Sequence, residues 1–276
     1  MPPQFHHPPP KPQHSTLSFP SQHILLVTLS RPKDLNCINS TGHVELHEIW
    51  EWMDDEPSLR VGVITGQGRA FCAGADLKEW NSSTQSSKPR TPMPPSGFGG
   101  LSRRSGKKPI IAAVNGLCLG GGCEMVTNTD IVIASEAAFF GFPEVQRGVV
   151  AWAGALPRIV RTIGKQRAME MVLTGRRVSA REARDWGFVN EVVGGEPAEV
   201  VKRAVEVAGL IAGNSPDAVI VSREGVKMGW DGVGAEEGTM LFVDTWEKKL
   251  NAGENIKEGL RAFVEKRKPV WEESKL

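Results

Sequence analysis

The chain has 276 residues, 40% hydrophobic and 24% charged, enough to bury a sizeable core in one large domain or two small ones. Lys plus Arg number 33 against 32 Asp plus Glu, a formal net charge of +1, which argues against a broad electrostatic footprint for nucleic acid. No apolar run reaches the roughly 20 residues of a membrane-spanning helix, so neither nucleic acid nor membrane is an expected partner.

The first 20 residues, MPPQFHHPPPKPQHSTLSFP, are rich in Pro and His and contain no Arg. They have neither the apolar stretch of a signal peptide nor the Arg-rich composition of a transit peptide, and a disordered arm is predicted over 1–20. HILLVTLSRP (23–32) reads as a strand ended by a proline. Residues 40–53 place Val44, Leu46, Ile49, Trp50 and Met53 near helical spacing. RVGVITG (60–66) is a short buried strand, and GADLKEW (74–80) a helix start after a turn. Residues 81–106, rich in Ser, Pro and Gly, are expected to form a mobile loop, because strand-like PIIAAVNG (109–116) resumes the rhythm beyond them. DIVIAS (130–135) and AAFFGF (137–142) follow as strands. From about 153 the pattern is mostly helical, interrupted by the short apolar run FVNEVV (188–193). A repeated strand–strand–helix unit followed by helices predicts an α/β class with a largely parallel sheet.

Cys37, Cys72, Cys118 and Cys123 include no C-x-x-C pair, and free thiols in a reducing compartment are expected. There is no H-E-x-x-H or Cys/His cluster for a metal, no G-x-G-x-x-G and no phosphate-binding P-loop. The chain ends in Ser274-Lys275-Leu276, the form of a receptor-read peroxisomal address, and a peroxisomal location with the import receptor as partner is expected.

Two strand ends look alike. VGVITGQGRAFCAGAD and IIAAVNGLCLGGGCE each run from a strand into small residues and then an acid. Small residues let a backbone come close to another group, and a helix start presents unpaired N–H donors. Two such donors facing one oxygen would form an oxyanion hole; tight packing corners are the alternative. Glu124 follows the triple glycine and Glu144 follows Pro143, with a strand pair between them. Brought to one mouth, the two acids could hold a water and pass protons. Alternatively each is a first-turn acid favoured by a helix dipole.

Taken together, LSRPKDLNCIN (29–39), VITGQGRAFCAGADLKE (63–79), KPIIAAVNGLCLGGGCEM (108–125), FFGFPEVQRGV (139–149), the 164–193 segment and AFVEKRKPVW (262–271) resemble the crotonase (enoyl-CoA hydratase/isomerase) superfamily, in family order from about 24 to 271. The resemblance implies a crotonase spiral core over 21–200, a C-terminal helical trimerisation region over 201–273 and the address at 274–276. It implies that the amides of Ala75 and Gly121 bind a thioester oxygen, that Glu144 gives a proton to Cα, and that Glu124 positions and activates water. For coenzyme A it points to Lys33, Leu35 and the backbone of Ala73 and Asp76, with Phe263 and Lys266 reaching in from a neighbouring subunit of a homotrimer or homohexamer. The Asp76 side chain reads as a helix cap.

Keeping both acids favours hydration of a 2-enoyl-CoA or dehydration of a 3-hydroxyacyl-CoA, with no cofactor beyond the coenzyme A of the substrate and no metal. The sequence departs from the family's usual G-x-x-P-G-x-G-G-T-Q-R: Trp152 stands where a small residue is common, and Phe142 adds bulk before Pro143. These two predict a short or branched acyl chain, with Trp152 as a core residue the alternative. The expected pathway is fatty acid degradation or a specialised route, such as dehydration of mevalonyl-CoA in siderophore synthesis or a step in toxin synthesis. The rival readings are a Δ3–Δ2 enoyl-CoA isomerase and a non-catalytic RNA-binding or structural protein of this fold.

Overall fold

The computed structural model describes residues 5–86 and 92–276. Strand β1 (Ser15–Ser18) pairs antiparallel with β2 (Ile24–Leu29), which leads into helix α1 (Ser40–Asp55). Three turns of one motif follow. The first is β3 (Val61–Gly66), β4 (Ala70–Cys72) and α2 (Leu77–Gln85); the second is β5 (Ile110–Val114), β6 (Leu117–Leu119) and α3 (Gly121–Thr127). The third is β7 (Ile131–Ser135), β8 (Phe139–Gly141) and a 3₁₀ turn at Pro143–Arg147. Then come α4 (Leu156–Ile163), α5 (Lys165–Thr174), β9 (Val178–Ser179), α6 (Ala180–Asp185) and β10 (Glu191–Val193). Four helices close the chain: α7 (Pro197–Ala212), α8 (Pro216–Asp231), α9 (Ala235–Asn251) and α10 (Glu254–Val264).

In each turn the first strand joins a six-stranded sheet, β1-β2-β3-β5-β7-β10, and the second a four-stranded sheet, β4-β6-β8-β9. This is the spiral of strand–strand–helix units that the sequence predicts. The large sheet is parallel apart from β1 and covered on both faces, which is why β3 and β5 are continuous apolar runs. Val61, Val63, Ile111, Ala113 and Ile133 face α7 through its Val200, Ala204, Ala208 and Ala212. The alternate residues Ile64, Ile110, Ala112, Val114 and Ala134 enter the main core with Ile49, Trp50 and Met53 of α1. The expected boundary between core and helical region at 200 and 201 therefore falls inside α7, which is one layer of the core. Among the described residues no single helix is long and apolar enough to cross a membrane.

Two expectations fail. The arm over 1–20 is not disordered from residue 5 onward; residues 1–4 lie outside the described ones. The ladder runs from Ser15↔Leu29 to Ser18↔Leu26, and Phe5 and Phe19 stack at 4.7 Å beside Trp52 of α1. Trp52 Nε1–H donates to the His7 carbonyl at 3.1 Å. The open edge of β2 and an apolar patch at Trp52 supply what the arm's composition lacks. The mobile loop over 81–106 fails also: α2 runs on to Gln85, and Phe98, Leu101 and Ser102 are buried, packed between α1 and α3. Residues 87–91 of that segment lie outside the described residues.

Candidate functional site

The small sheet assembles the site. Strands β4, β6 and β8 are parallel neighbours, in register through Cys72↔Cys118 and Leu119↔Gly141. Their C-terminal ends therefore release three segments side by side: Ala73–Asp76, Gly120–Gly122 and Phe142–Glu144. Ligands of parallel α/β sheets lie at such carboxyl ends.

The first segment is held from behind. Ile38 N–H donates to Gly74 O, and Asp76 N–H donates to Ile38 O, both at 3.0 Å. In such a parallel bridge the intervening residue, Ala75, turns its own N–H away from Ile38. The Asp76 side chain caps α2, accepting from Lys78 N–H and Glu79 N–H, and binds Arg31 at 2.9 Å. Burial raises its pKa, but Arg31 and these amides outweigh that and hold it below the usual carboxylate range.

The glycine run meets that turn. A Cβ on Gly74, whose φ is +99°, would lie 3.3 Å from Gly121 N, so the two turns touch. Gly120 has φ +56°, and a Cβ there would sit 3.2 Å from Glu144 Oε1. A Cβ on Gly121 would lie 2.3 Å from the Phe98 ring. Gly121 opens α3, so its N–H has no partner within the helix.

Ala75, Gly121, Glu124 and Glu144 line one cavity of about 120 Å³. Glu124 is 4% exposed and accepts from Ala155 N–H at 3.2 Å. Its pKa is pushed up to about 7, chiefly by burial; the Ala155 amide opposes this and the nearby charge of Glu144 adds to it. Burial also raises Glu144, whose Oε2 is buried with no hydrogen-bond partner among the described residues. Two neighbouring carboxyls with raised pKa values can share protons near neutral pH, and two amides at the same mouth can hold one oxyanion.

The titration also acts on stability. Glu124 binds its proton more tightly folded than unfolded, so its contribution is full below 4.5 and is lost as the pH rises through about 7. Between those values the melting temperature of the wild type is expected to fall relative to that of Glu124→Gln, read by thermal unfolding across the range.

Of the other expected residues, Ala73 and Trp152 line the cavity. Trp152 is 72% exposed at its rim, which excludes the reading as a core residue. Phe142 is a correction: it is 1% exposed within the main core, and only its neighbours Pro143 and Glu144 reach the cavity. Burying the ring stabilises by about 2 kcal/mol or more, and an alternation set by β8 turns it inward. Lys33 and Leu35 do not line the cavity; they sit on the 3₁₀ turn Pro32–Asp34 and its cap, where Leu35 O accepts from Ala73 N–H at 3.0 Å. Phe263, 84% exposed near the end of α10, and the exposed Lys266 also lie away from it.

Sequence reasoning missed His43, which lines the cavity from the first turn of α1, and Asn115. The buried Asn115 amide donates to Gly68 O and accepts from Gly66 N–H, fixing the corner between β3 and β4. An Asn directly after an apolar strand was the available signal for it.

The family profile described as "Enoyl-CoA hydratase/isomerase" matches residues 20–274. The chain belongs to the enoyl-CoA hydratase/isomerase family. It is 54% identical over 264 residues to a mevalonyl-coenzyme A hydratase of Aspergillus fumigatus, covering 96% of this chain and 97% of that one. A mevalonyl-coenzyme A hydratase of Beauveria bassiana is also 54% identical, over 97% of this chain and 98% of its own. Among solved structures, an enoyl-CoA hydratase from Mycobacterium tuberculosis superposes with a TM-score of 0.85 at 31% identity, covering 95% of this chain and 99% of that chain. The paired acids of this family member thus sit on the fold of known hydratases, and its four cysteines are free thiols.

Proposed function

We propose that the protein interconverts a 2-enoyl-CoA and a 3-hydroxyacyl-CoA, with mevalonyl-CoA as its substrate. The observation that carries the reaction is the meeting of two raised carboxyls with two amide-bearing turns in one cavity. Identity of 54% to two mevalonyl-coenzyme A hydratases supports the acyl group.

In the hydration direction the thioester oxygen lies against the amides of Ala75 and Gly121. Water held between the acids loses a proton to Glu124 and adds its oxygen to Cβ. The alkene electron pair shifts toward the thioester, and its negative charge collects on the oxygen held by the two amides. Glu144 then delivers a proton to Cα. Dehydration runs the same steps backward, with Glu144 taking the Cα proton and Glu124 protonating the departing hydroxyl. Trp152 at the rim and the small volume behind it restrict the acyl chain to a short or branched one.

Monitoring the absorbance of the conjugated thioester tests this directly. With mevalonyl-CoA the absorbance is expected to rise as water is lost, and long-chain enoyl-CoA to turn over poorly. No change with any enoyl- or 3-hydroxyacyl-CoA would overturn the reading.

On the Ser274-Lys275-Leu276 motif, peroxisomal import by the receptor that reads it is part of the same proposal, followed by imaging an N-terminally tagged chain with and without Leu276. A specialised pathway such as siderophore synthesis accords with the mevalonyl group. Assembly as a trimer or a pair of trimers, with Phe263 and Lys266 serving a neighbouring site, accords with the exposed end of α10 and is measured by sedimentation.

A further inference from the structure

We infer that Ser102 is a positioning residue for the water-activating acid: its buried hydroxyl fixes the Ala153–Gly154 peptide so that the Gly154 N–H is aimed at Glu124. The inference rests on the hydratase reading of this site and adds to it a residue that does not itself line the cavity.

Ser102 lies between α2 and β5 and is fully buried. Its Oγ stands between two peptide groups. Phe98 N–H donates to it at 2.7 Å, and it donates to Ala153 O at 2.6 Å. An N–H can only donate and a carbonyl only accept, so the hydroxyl proton is committed to Ala153. Close approach makes this possible: a Cβ on Gly97 would lie 2.3 Å from Ser102 Oγ. Asn128, at the end of α3, holds the same segment, donating to Leu101 O at 2.6 Å and to Arg104 O at 3.1 Å. Ser102 is thus a fixed post of the core, and the Ala153 carbonyl is tied to it.

The Ala153 carbonyl and the Gly154 N–H belong to one planar trans peptide and point opposite ways. Holding the oxygen at Ser102 therefore turns the N–H away from it, toward Glu124. Arg158 does the same for the next peptide: it donates to Gly154 O at 2.9 Å, while Ala155 N–H meets Glu124 Oε2 at 3.2 Å. Burial raises the Glu124 pKa to about 7; the amides of Ala155, Ala153 and Gly154 pull it down, and the charge of Glu144 pushes it up. Amides aimed at a carboxylate favour its ionised form, and in hydration that form takes the proton from water. The charged or titratable groups around Glu124 are His43 of α1, Glu144 and Arg147 of the 3₁₀ turn, and Arg103 and Arg158 packed on Gly154. The thiols of Cys72 and Cys118, on the strands against α3, are pushed up by burial and stay neutral. Replacing the Ser102 hydroxyl changes none of these charges, so its effect reaches Glu124 through the peptide.

The test follows hydration of the 2-enoyl-CoA formed from mevalonyl-CoA, as kcat/KM across about pH 5–9, in wild type and Ser102→Ala. The two acids titrate as a pair, and the acidic limb marks loss of the ionised acid. In Ser102→Ala that limb is expected to move to higher pH. The loss should be about three- to tenfold at the acidic end, the size of one hydrogen bond, and should shrink toward the maximum. In a Glu124→Gln background the same change should cost little more. A loss equal at every pH would mean a structural role only and overturn the inference, as would an unmoved limb or an undiminished further loss in the Glu124→Gln background. Should Ser102→Ala fail to fold by circular dichroism, Ser102→Cys, whose thiol is a weak donor, carries the same expectation and an unmoved limb there overturns it. Wild type turning over no enoyl-CoA sinks the hydratase reading itself; an active wild type whose limb ignores Ser102 sinks only the role of Ser102.

Discussion

Glu144→Gln is expected to lower kcat by about 10²–10⁴-fold, the range associated with a lost general acid–base group, with little change in coenzyme A binding. The substitution keeps the shape of the side chain. That matters because Oε1 packs against Gly120, where even an added Cβ would lie 3.2 Å from it, and the amide fills the same space as the carboxylate. What it removes is the exchangeable proton of a carboxyl whose Oε2 is buried without a partner among the described residues. The neutral amide also no longer helps to raise Glu124, so Glu124→Gln and Glu144→Gln are coupled. The double variant should cost about as much as the worse single one, as for groups that act as a unit. Turnover and calorimetric binding of coenzyme A on the same preparations separate chemistry from folding. A variant keeping near-wild-type kcat would remove Glu144 from the proton path.

Much of this architecture is written in local pattern. The continuous apolar runs of β3 and β5 announce strands covered on both faces, and the small residues after β4 and β6 announce close backbone approach. Each depends on neighbours in sequence, and each is found in place. What was not legible depends on partners distant in the chain. Strand β1 exists because β2 offers an edge and Trp52 a patch for Phe5 and Phe19, and nothing in the Pro/His-rich composition shows either. Strands β4 and β6 span three residues each, too short to show a period. The direction of Phe142 is set by the alternation of β8, and the motif comparison that put it beside the acyl group carried no information about that. His43 looked like one polar residue in a helix start; only the fold brings Phe98 and Gly99 from more than 50 positions away to pin its ring.

Gly121→Ala is expected to fold less stably, by about 1–3 kcal/mol as for an overpacked core, and to lose about 10²-fold in kcat or more, as for a displaced oxyanion donor. The backbone is not the obstacle, since Gly121 has no positive φ. The obstacle is a contact: the added methyl would lie 2.3 Å from the Phe98 ring, which is 3% exposed. That ring cannot simply turn away, because His43 stands edge-on to it at 4.6 Å. Either the ring moves and disturbs His43, or the start of α3 moves and carries the Gly121 amide off the thioester oxygen. The two routes are separable. In Gly121→Ala/Phe98→Leu the smaller side chain gives the methyl room, so the double variant should recover melting temperature and part of kcat relative to Gly121→Ala, a favourable coupling between contacting sites. Recovery of stability without kcat would show that the amide itself had shifted. Wild-type kcat in Gly121→Ala would mean that the thioester oxygen does not lie at this turn.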